Sequence, residues 1–490
     1  MNKYQPIIGL EVHVELNTNS KMFCSCSAEH FSVEPNTHTC PTCLGLPGAL
    51  PTVNKTACES CIKIGLAFEC SLLDHAVFAR KHYAYPDLAK GYQLSQYELP
   101  FCVDGMIKIG NRDIRIKRVH MEEDTGKLQH GDFQGKNASF VDFNRSGVPL
   151  VEIVTQADFR SAEEVEEYAR KLQQLMRYLG VSTADMDKGS MRFEANISLK
   201  ETSEDISDKI LEDSDLPKYK IEVKNLNSFK ALAGAVRYET KAQAEILDAG
   251  KIPPQETKGW DDIKQRTVSQ REKEDAHDYR YFPDPDISPM DWMPQSEVQL
   301  KSSLPELPWQ KKSRYMTDYG LSDYDASLLT DDQATTVYFE TGMAEAQGDA
   351  KQIAKKLTNW INGELARLRN ETSTHITQVK VTPAHILEII ALVDAQKVSG
   401  TNAKIVFEEI FTNRGEIATI VKDKGLEQIQ DTGAVETAVK KIIEEQPKAV
   451  ADYKGGKETV IMFLIGMVMK ELKGKGNTEE IKEVLKKQLV

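Results

Sequence analysis

Residues 7–16, IIGLEVHVEL, alternate strictly, and this constrains the chain more than any other stretch. Leu10, Val12, Val14 and Leu16 fall on one side of an extended backbone; Glu11, His13 and Glu15 fall on the other. Same-face neighbours on a strand stand roughly 6.5 Å apart, so carboxylate, imidazole and carboxylate form a row. A half-buried strand showing its polar side to water explains the pattern. A metal-binding row explains it too, since two carboxylates flanking an imidazole can hold a divalent cation.

Further segments repeat the device. At 191–198, Met191, Phe193, Ala195 and Ile197 oppose Arg192, Glu194, Asn196 and Ser198, and KIEVKNLNS at 220–228 alternates before a turn. A strand near 113–119 leads into an acidic turn, HMEEDTG at 120–126, whose carboxylates repel unless solvated or bridged by a cation. Alternation ahead of Glu122 is irregular, so either Glu122 or Glu123 could face the row. Residues 141–154 read as two strands around RSGVP, with Glu152 among apolar neighbours. A carboxylate buried there needs a cation, a donor or an edge position. The clearest helix begins at Ser161, which with Glu164 forms a capping box, and stops at Gly180. RKHYAYPDLAKGYQLSQYELP at 80–100 is dense in tyrosine and lysine, either a binding surface or a set of mutually packed rings.

The eight cysteines fall into two sets. Cys24, Cys26, Cys40 and Cys43 lie close together in a polar, loop-rich segment and can close a tetrahedral zinc site. Cys58 and Cys61 share a helical apolar stripe with Ala57, Gly65 and Phe68, which assigns them to core. Cys70 and Cys102 read as packing residues. No apolar run approaches the ~20 residues that span a bilayer, and the expected location is cytoplasmic.

At 490 residues the chain exceeds one ordinary core. The expected class is α+β: a mixed-sheet domain at 1–292, a helical domain at 293–404 and a small helical tail at 405–490. A net charge of −13 argues against a sequence-tolerant nucleic-acid binder, although Lys470, Lys473, Lys475, Lys482, Lys486 and Lys487 make the tail locally basic. Phosphate-loop, dinucleotide-fold and nucleophile-elbow signatures are missing, so any nucleotide must be held by side chains and metal.

Together IIGLEVHVEL, CPTCLGLPGALPTVN, RKHYAYPDLAKGYQLSQYELP, HMEEDTGK, VDFNRSGVPLVEIV, KNLNS and AHDYRYFPDPD resemble the B subunit of the tRNA-dependent amidotransferases, the GatB family, over essentially the whole chain. The resemblance implies a heterotrimer with A and C subunits, the A subunit releasing ammonia from glutamine. It implies a cradle domain that uses ATP to phosphorylate the side-chain carboxylate of a mischarged Glu-tRNA(Gln) or Asp-tRNA(Asn), which ammonia then converts to the amide. A non-catalytic subunit that only presents tRNA is the alternative.

The resemblance implies catalytic roles for Glu11, His13, Glu123 and Glu152. It implies Mg²⁺ ligands among Glu11, His13, Glu122, Glu123 and Glu152, the imidazole suggesting tolerance of Mn²⁺. Lys81, Lys90, Arg192, Glu194 and Asn196 are nucleotide or substrate candidates. Phe193-Glu194 stands where relatives commonly have Cys-Asp, one methylene shorter. Structural zinc falls to Cys24, Cys26, Cys40 and Cys43, and tRNA contact to Lys470, Lys473, Lys475 and Lys486.

Overall fold

A computed structural model of the chain describes residues 3–202, 204, 206, 209–272, 279–291, 294–428, 432–472 and 476–489. It divides into two compact units, Met1–Leu307 and Pro308–Val490.

The first unit is organised on a twelve-stranded mixed sheet. Its main strands are β1 (Tyr4–Glu15), β2 (Ala79–His82), β3 (Tyr92–Ser95), β4 (Arg112–Glu123), β5 (Pro149–Thr155), β6 (Met191–Glu201), β7 (Ile221–Leu226), β8 (Glu256–Asp261) and β9 (Arg266–Glu272). Their spatial order is β9-β8-β7-β6-β1-β5-β4-β3-β2, ending on Phe282–Pro283. Only β7 and β8 run parallel along this path. The opening strand is therefore central, paired antiparallel to β6 on one side and β5 on the other. Leu10, Val12 and Val14 of β1, and Met191, Phe193, Ala195 and Ile197 of β6, are at most 1 % exposed. Both alternating segments thus turn their apolar side to the core.

Helices α1 (Lys55–Ala67), α2 (Ala162–Tyr178) and α3 (Phe229–Asp248) pack with the sheet, and a further helix, Pro294–Ser302, packs on α1. Cys58 and Cys61 are fully buried on α1, as their stripe requires, and Cys70 and Cys102 are buried as well. Ser161 caps α2 by accepting from Glu164 N, but Glu164 reaches back to Arg160 N rather than to Ser161. The box therefore closes one residue early. Val165, Leu172, Leu175 and Met176 are wholly buried, and each such side chain contributes about 1.5–3 kcal/mol. That burial sets the position of α2. Helix α3, which the sequence reading did not single out, packs on α2, β6, β7 and β9.

One irregularity decides which way the acidic segment faces. Val154 of β5 lies opposite Arg118 of β4, but Thr155 lies opposite Ile116, so Lys117 is an extra residue. Such a bulge shifts the alternation of its strand by one. Ile114 and Ile116 are buried ahead of it, Val119 and Met121 after it. His120 and Glu122 are thereby turned to the polar face. The strand also runs through to Glu123, correcting the turn expected from 120; the chain leaves the strand only at Asp124.

The second unit is helical. One apolar cluster runs from Tyr315 to Leu426 and another from Val435 to Leu489. The expected boundary at 404/405 falls inside the helix Gly400–Asn413, and the apolar clusters divide after Leu426 instead. Continuous apolar burial across 405–426 is the physical reason. The other expected boundary, 292/293, lies outside the described residues. No described helix is long and apolar enough to cross a membrane.

Candidate active site

Cross-strand register assembles the polar face. Arg192, His13, Glu152 and His120 lie in line across β6, β1, β5 and β4. Two residues along β1, Glu11 lies opposite Glu194. One step further across the sheet, Asn196 lies opposite Glu222.

These rows gather into two clusters. In the first, ligand atoms of His13, Glu122 and Glu152 lie within 4.8 Å of one another. His13 Nε2 is 3.7 Å from Glu122 and 3.8 Å from Glu152, while His120 Nε2 is 3.1 Å from Glu152. Glu122 also accepts from Ser95 Oγ at 2.8 Å and lies 3.8 Å from Lys81 Nζ. Burial penalises the Glu122 carboxylate, but Lys81 and the two imidazoles outweigh it and hold the group well below its ordinary range. Glu152 is likewise held at about 2, burial being overcome chiefly by His120. Burial also works against an imidazolium at His13, but the hydrogen bond to Glu122 and the charge of Glu152 raise it to about 9.

The second cluster is Glu11, Glu194 and Glu222, again within 4.8 Å. Lys224 Nζ sits 2.9 Å from Glu194 and 3.4 Å from Glu222. Glu11 accepts from Asn196 Nδ2 at 2.9 Å, and burial together with Glu152 and Glu194 pushes its carboxyl up. The single polar row read from the sequence is thus two adjacent clusters. Glu11 belongs with Glu194 rather than with His13. Glu123 joins neither, because the alternation turns it to the opposite side, where it pairs with Lys90 and accepts from Leu94 N.

The phosphate candidates Lys81, Lys90 and Arg192 are each already partnered, by Glu122, Glu123 and Asp124 respectively. The tyrosines of 80–100 are partly packed among themselves and their neighbours: Tyr97 stacks on Tyr281 at 4.4 Å and Tyr83 meets Tyr279 edge-on. Two cavities border the clusters. One, of about 250 Å³, is lined by His13, Glu122, Asp124, Arg192, Glu194 and Lys224. The other, of about 410 Å³, reaches Glu11 and Asn196 and is lined by Lys117, Arg118, Lys218 and Lys220. Among the described residues, no ion pair engages those four cations. Sequence reasoning passed over Glu222, Lys224 and this basic wall. The alternation of KIEVKNLNS did carry the first two, since it puts Glu222 and Lys224 on one face.

Both donor sets fit metals. Both clusters present hard carboxylate oxygens, and in the second three carboxylates surround a single lysine, which suits a divalent cation such as Mg²⁺. The sulfurs of Cys24, Cys26, Cys40 and Cys43 lie within 4.8 Å of one another, with Cys40 and Cys43 at 3.8 Å. Tetrahedral zinc with bonds of about 2.3 Å requires sulfurs about 3.8 Å apart. All four thiols are free of disulfides. A hydrogen bond from Cys24 lowers Cys43 to about 4 against the cost of burial, with the Cys40 backbone and Lys21 assisting. In the tail, Lys470 and Lys486 are exposed, while Lys473 and Lys475 lie outside the described residues.

Residues 6–296 match the family model described as the GatB/GatE catalytic domain and residues 338–489 match the GatB domain, so the chain belongs to the GatB family. It is similar throughout to proteins named as the B subunit of aspartyl/glutamyl-tRNA(Asn/Gln) amidotransferase. The one from Dehalococcoides mccartyi (strain ATCC BAA-2266 / KCTC 15142 / 195) is 46 % identical over 100 % of this chain and 99 % of its own. That from Caldanaerobacter subterraneus subsp. tengcongensis is 44 % identical over 99 % of both. That from Anaeromyxobacter sp. (strain K) is 44 % identical over 100 % of this chain and 99 % of its own.

Proposed function

We propose that this chain is the activating subunit of a tRNA-dependent amidotransferase, working in the cytoplasm with a glutaminase A subunit and a C subunit. Its substrate is the glutamate or aspartate carried by a mischarged Glu-tRNA(Gln) or Asp-tRNA(Asn). A side-chain carboxylate oxygen attacks the γ-phosphorus of ATP and ADP departs. Ammonia from the partner then attacks the acyl phosphate, and phosphate leaves as the amide forms.

The observation that carries this reading is the pair of carboxylate clusters sharing one sheet face between a small cleft and a larger basic one. Phosphoryl transfer asks a protein chiefly for positioning and charge neutralisation. His13, Glu122 and Glu152 would hold one divalent cation, and Glu11, Glu194 and Glu222 a second. Bound magnesium would neutralise phosphate oxygens during transfer. Lys117, Arg118, Lys218 and Lys220 offer charge to a polyphosphate, and Arg192 on the other side offers a donor to the substrate carboxylate. Lys81 and His120 keep Glu122 and Glu152 ionised for metal. Zinc at the four cysteines would be structural, and Lys470 and Lys486 would meet tRNA phosphates as a shape-read backbone contact.

The test replaces Glu11 or His13 by alanine in the assembled enzyme. Phosphate release from ATP with mischarged tRNA is expected to disappear while tRNA affinity stays nearly intact. Turnover at the wild-type rate would make the chain a tRNA-presenting scaffold instead.

A further inference from the structure

Lys21 is fully buried, yet no carboxylate partners it among the described contacts. Its ammonium donates to His38 O at 2.7 Å and to Phe143 O at 3.1 Å, and lies 3.7 Å from Cys43 Sγ. A buried ammonium is costly unless negative charge stands nearby. Four thiolates around a zinc ion carry a net charge of −2, and Lys21 touches one of those sulfurs. The two carbonyls belong to different places: His38 lies in the cysteine loop, Phe143 in the turn that feeds β5.

That turn leads into the cleft. Asn144, wholly buried, accepts from His38 N at 2.7 Å and donates to Glu34 O at 2.7 Å. Arg145 donates to Thr125 O at 3.0 Å and to Gly126 O at 2.9 Å. Gly147 N and Val148 O bracket Asp124 through its backbone, at 2.9 Å and 2.8 Å. The Asp124 carboxylate then pairs with Arg192 at 2.8 Å, and both line the smaller cavity beside His13 and Glu122.

A second route leaves the same loop from the other side. His30 Nε2 lies 3.1 Å from Glu15 Oε2, and Glu15, only 6 % exposed, ends β1, the strand that carries His13, where it lies opposite Leu150 of β5. One connection from the cysteine loop therefore ends on the Asp124–Arg192 pair, and the other on the strand that carries His13. A loop that needed only local stapling would require neither.

We propose that Lys21 and His30 are positioning residues that tie the four-cysteine loop to the cleft, Lys21 through the turn that holds the Asp124–Arg192 pair and His30 through the end of β1, so that metal in the loop and order in the cleft are thermodynamically coupled. This rests on the zinc reading of the loop, not on the ATP reading of the cleft. Coupling of this kind is reciprocal, so disturbing either end must be felt at the other.

The test uses the full-length protein. Zinc release to a graded series of chelators is read by absorbance, and amide hydrogen exchange is followed in peptides covering 10–17, 118–126 and 141–149. Chelation of the wild type is expected to speed exchange in all three peptides. Lys21→Met is expected to release zinc at about tenfold lower chelator strength, the loss of one charge-assisted hydrogen bond. In cobalt-substituted protein the same change should move the thiolate-to-metal charge-transfer band, which a purely structural lysine would leave in place. His30→Ala should speed exchange at 10–17 and His30→Gln, which keeps a donor, should restore it. Unchanged exchange at 118–126 after zinc removal would show the loop to be a local staple and overturn the coupling. A wild-type protein that takes up neither zinc nor cobalt would overturn it together with the zinc reading.

Discussion

Replacing Glu11 by glutamine separates what the second carboxylate cluster does for function from what it does to the fold. Carboxylate oxygens of Glu11, Glu194 and Glu222 lie within 4.8 Å. Two unit charges at that distance repel by about 332/(20 × 4.8), or ~3.5 kcal/mol at an effective dielectric of ~20. Lys224 cancels part of this at Glu194 and Glu222, whereas Glu11 has the neutral Asn196 amide as its closest donor. Glutamine can still accept from Asn196, so the change deletes repulsion and keeps the hydrogen bond. Metal-free Glu11→Gln protein should be more stable than wild type by ~1–2 kcal/mol, or about 1.5–3 °C for a unit of this size. Scanning calorimetry in EDTA, followed by a magnesium titration, measures it. Wild type should gain stability from magnesium by mass action and the variant much less. ATP-dependent phosphate release should fall by about a hundredfold, equivalent to ~2.7 kcal/mol at the transition state. A variant destabilised in EDTA by more than ~1 kcal/mol, with an unaltered magnesium response, would refute the reasoning: the cluster would then be a structural ion-pair network.

The basic cavity predicts that Arg118→Gln combined with Lys220→Gln raises the KM for ATP about tenfold, as expected for a lost charge-assisted contact, without altering tRNA affinity; steady-state kinetics and filter binding decide it. In the helical unit, Lys311 and Arg314 clasp Glu340 at 2.7 Å and 2.5 Å. Burial alone would raise the Glu340 carboxyl, but these cations lower it below its ordinary value. A carboxyl lowered on folding contributes stability above its unfolded pKa, and that contribution disappears as pH falls through the folded value. Glu340→Gln should therefore lower the unfolding midpoint at pH 7 and lose its effect once acid has protonated the wild-type group. Removing residues 432–490, a cut placed between the two apolar clusters, should weaken tRNA binding and flatten its salt dependence while the remaining helices keep their circular dichroism.

Sequence alone was sufficient for the alternating strands, because a period of two with an apolar back leaves a single buried face. It determined that Glu11 shares a polar strand face with His13, and Glu194 one with Asn196, that Cys58 and Cys61 belong to core, and that the four earlier cysteines form a set; that Glu152 joins those faces was implied by the family resemblance. The family resemblance was legible from long collinear motifs. Only the tertiary structure decided how those residues group. Cross-strand register is set by partners far away in the chain, and it placed Glu11 with Glu194 and Glu222 rather than with His13. The bulge at Lys117 turned Glu122 toward the cleft and Glu123 away, a choice of one residue that no local pattern specifies. The engagement of Lys81, Lys90 and Arg192 by carboxylates, and the lack of ion pairs among the described residues to the cations around the larger cavity, likewise depend on contacts between strands that the one-dimensional order cannot express.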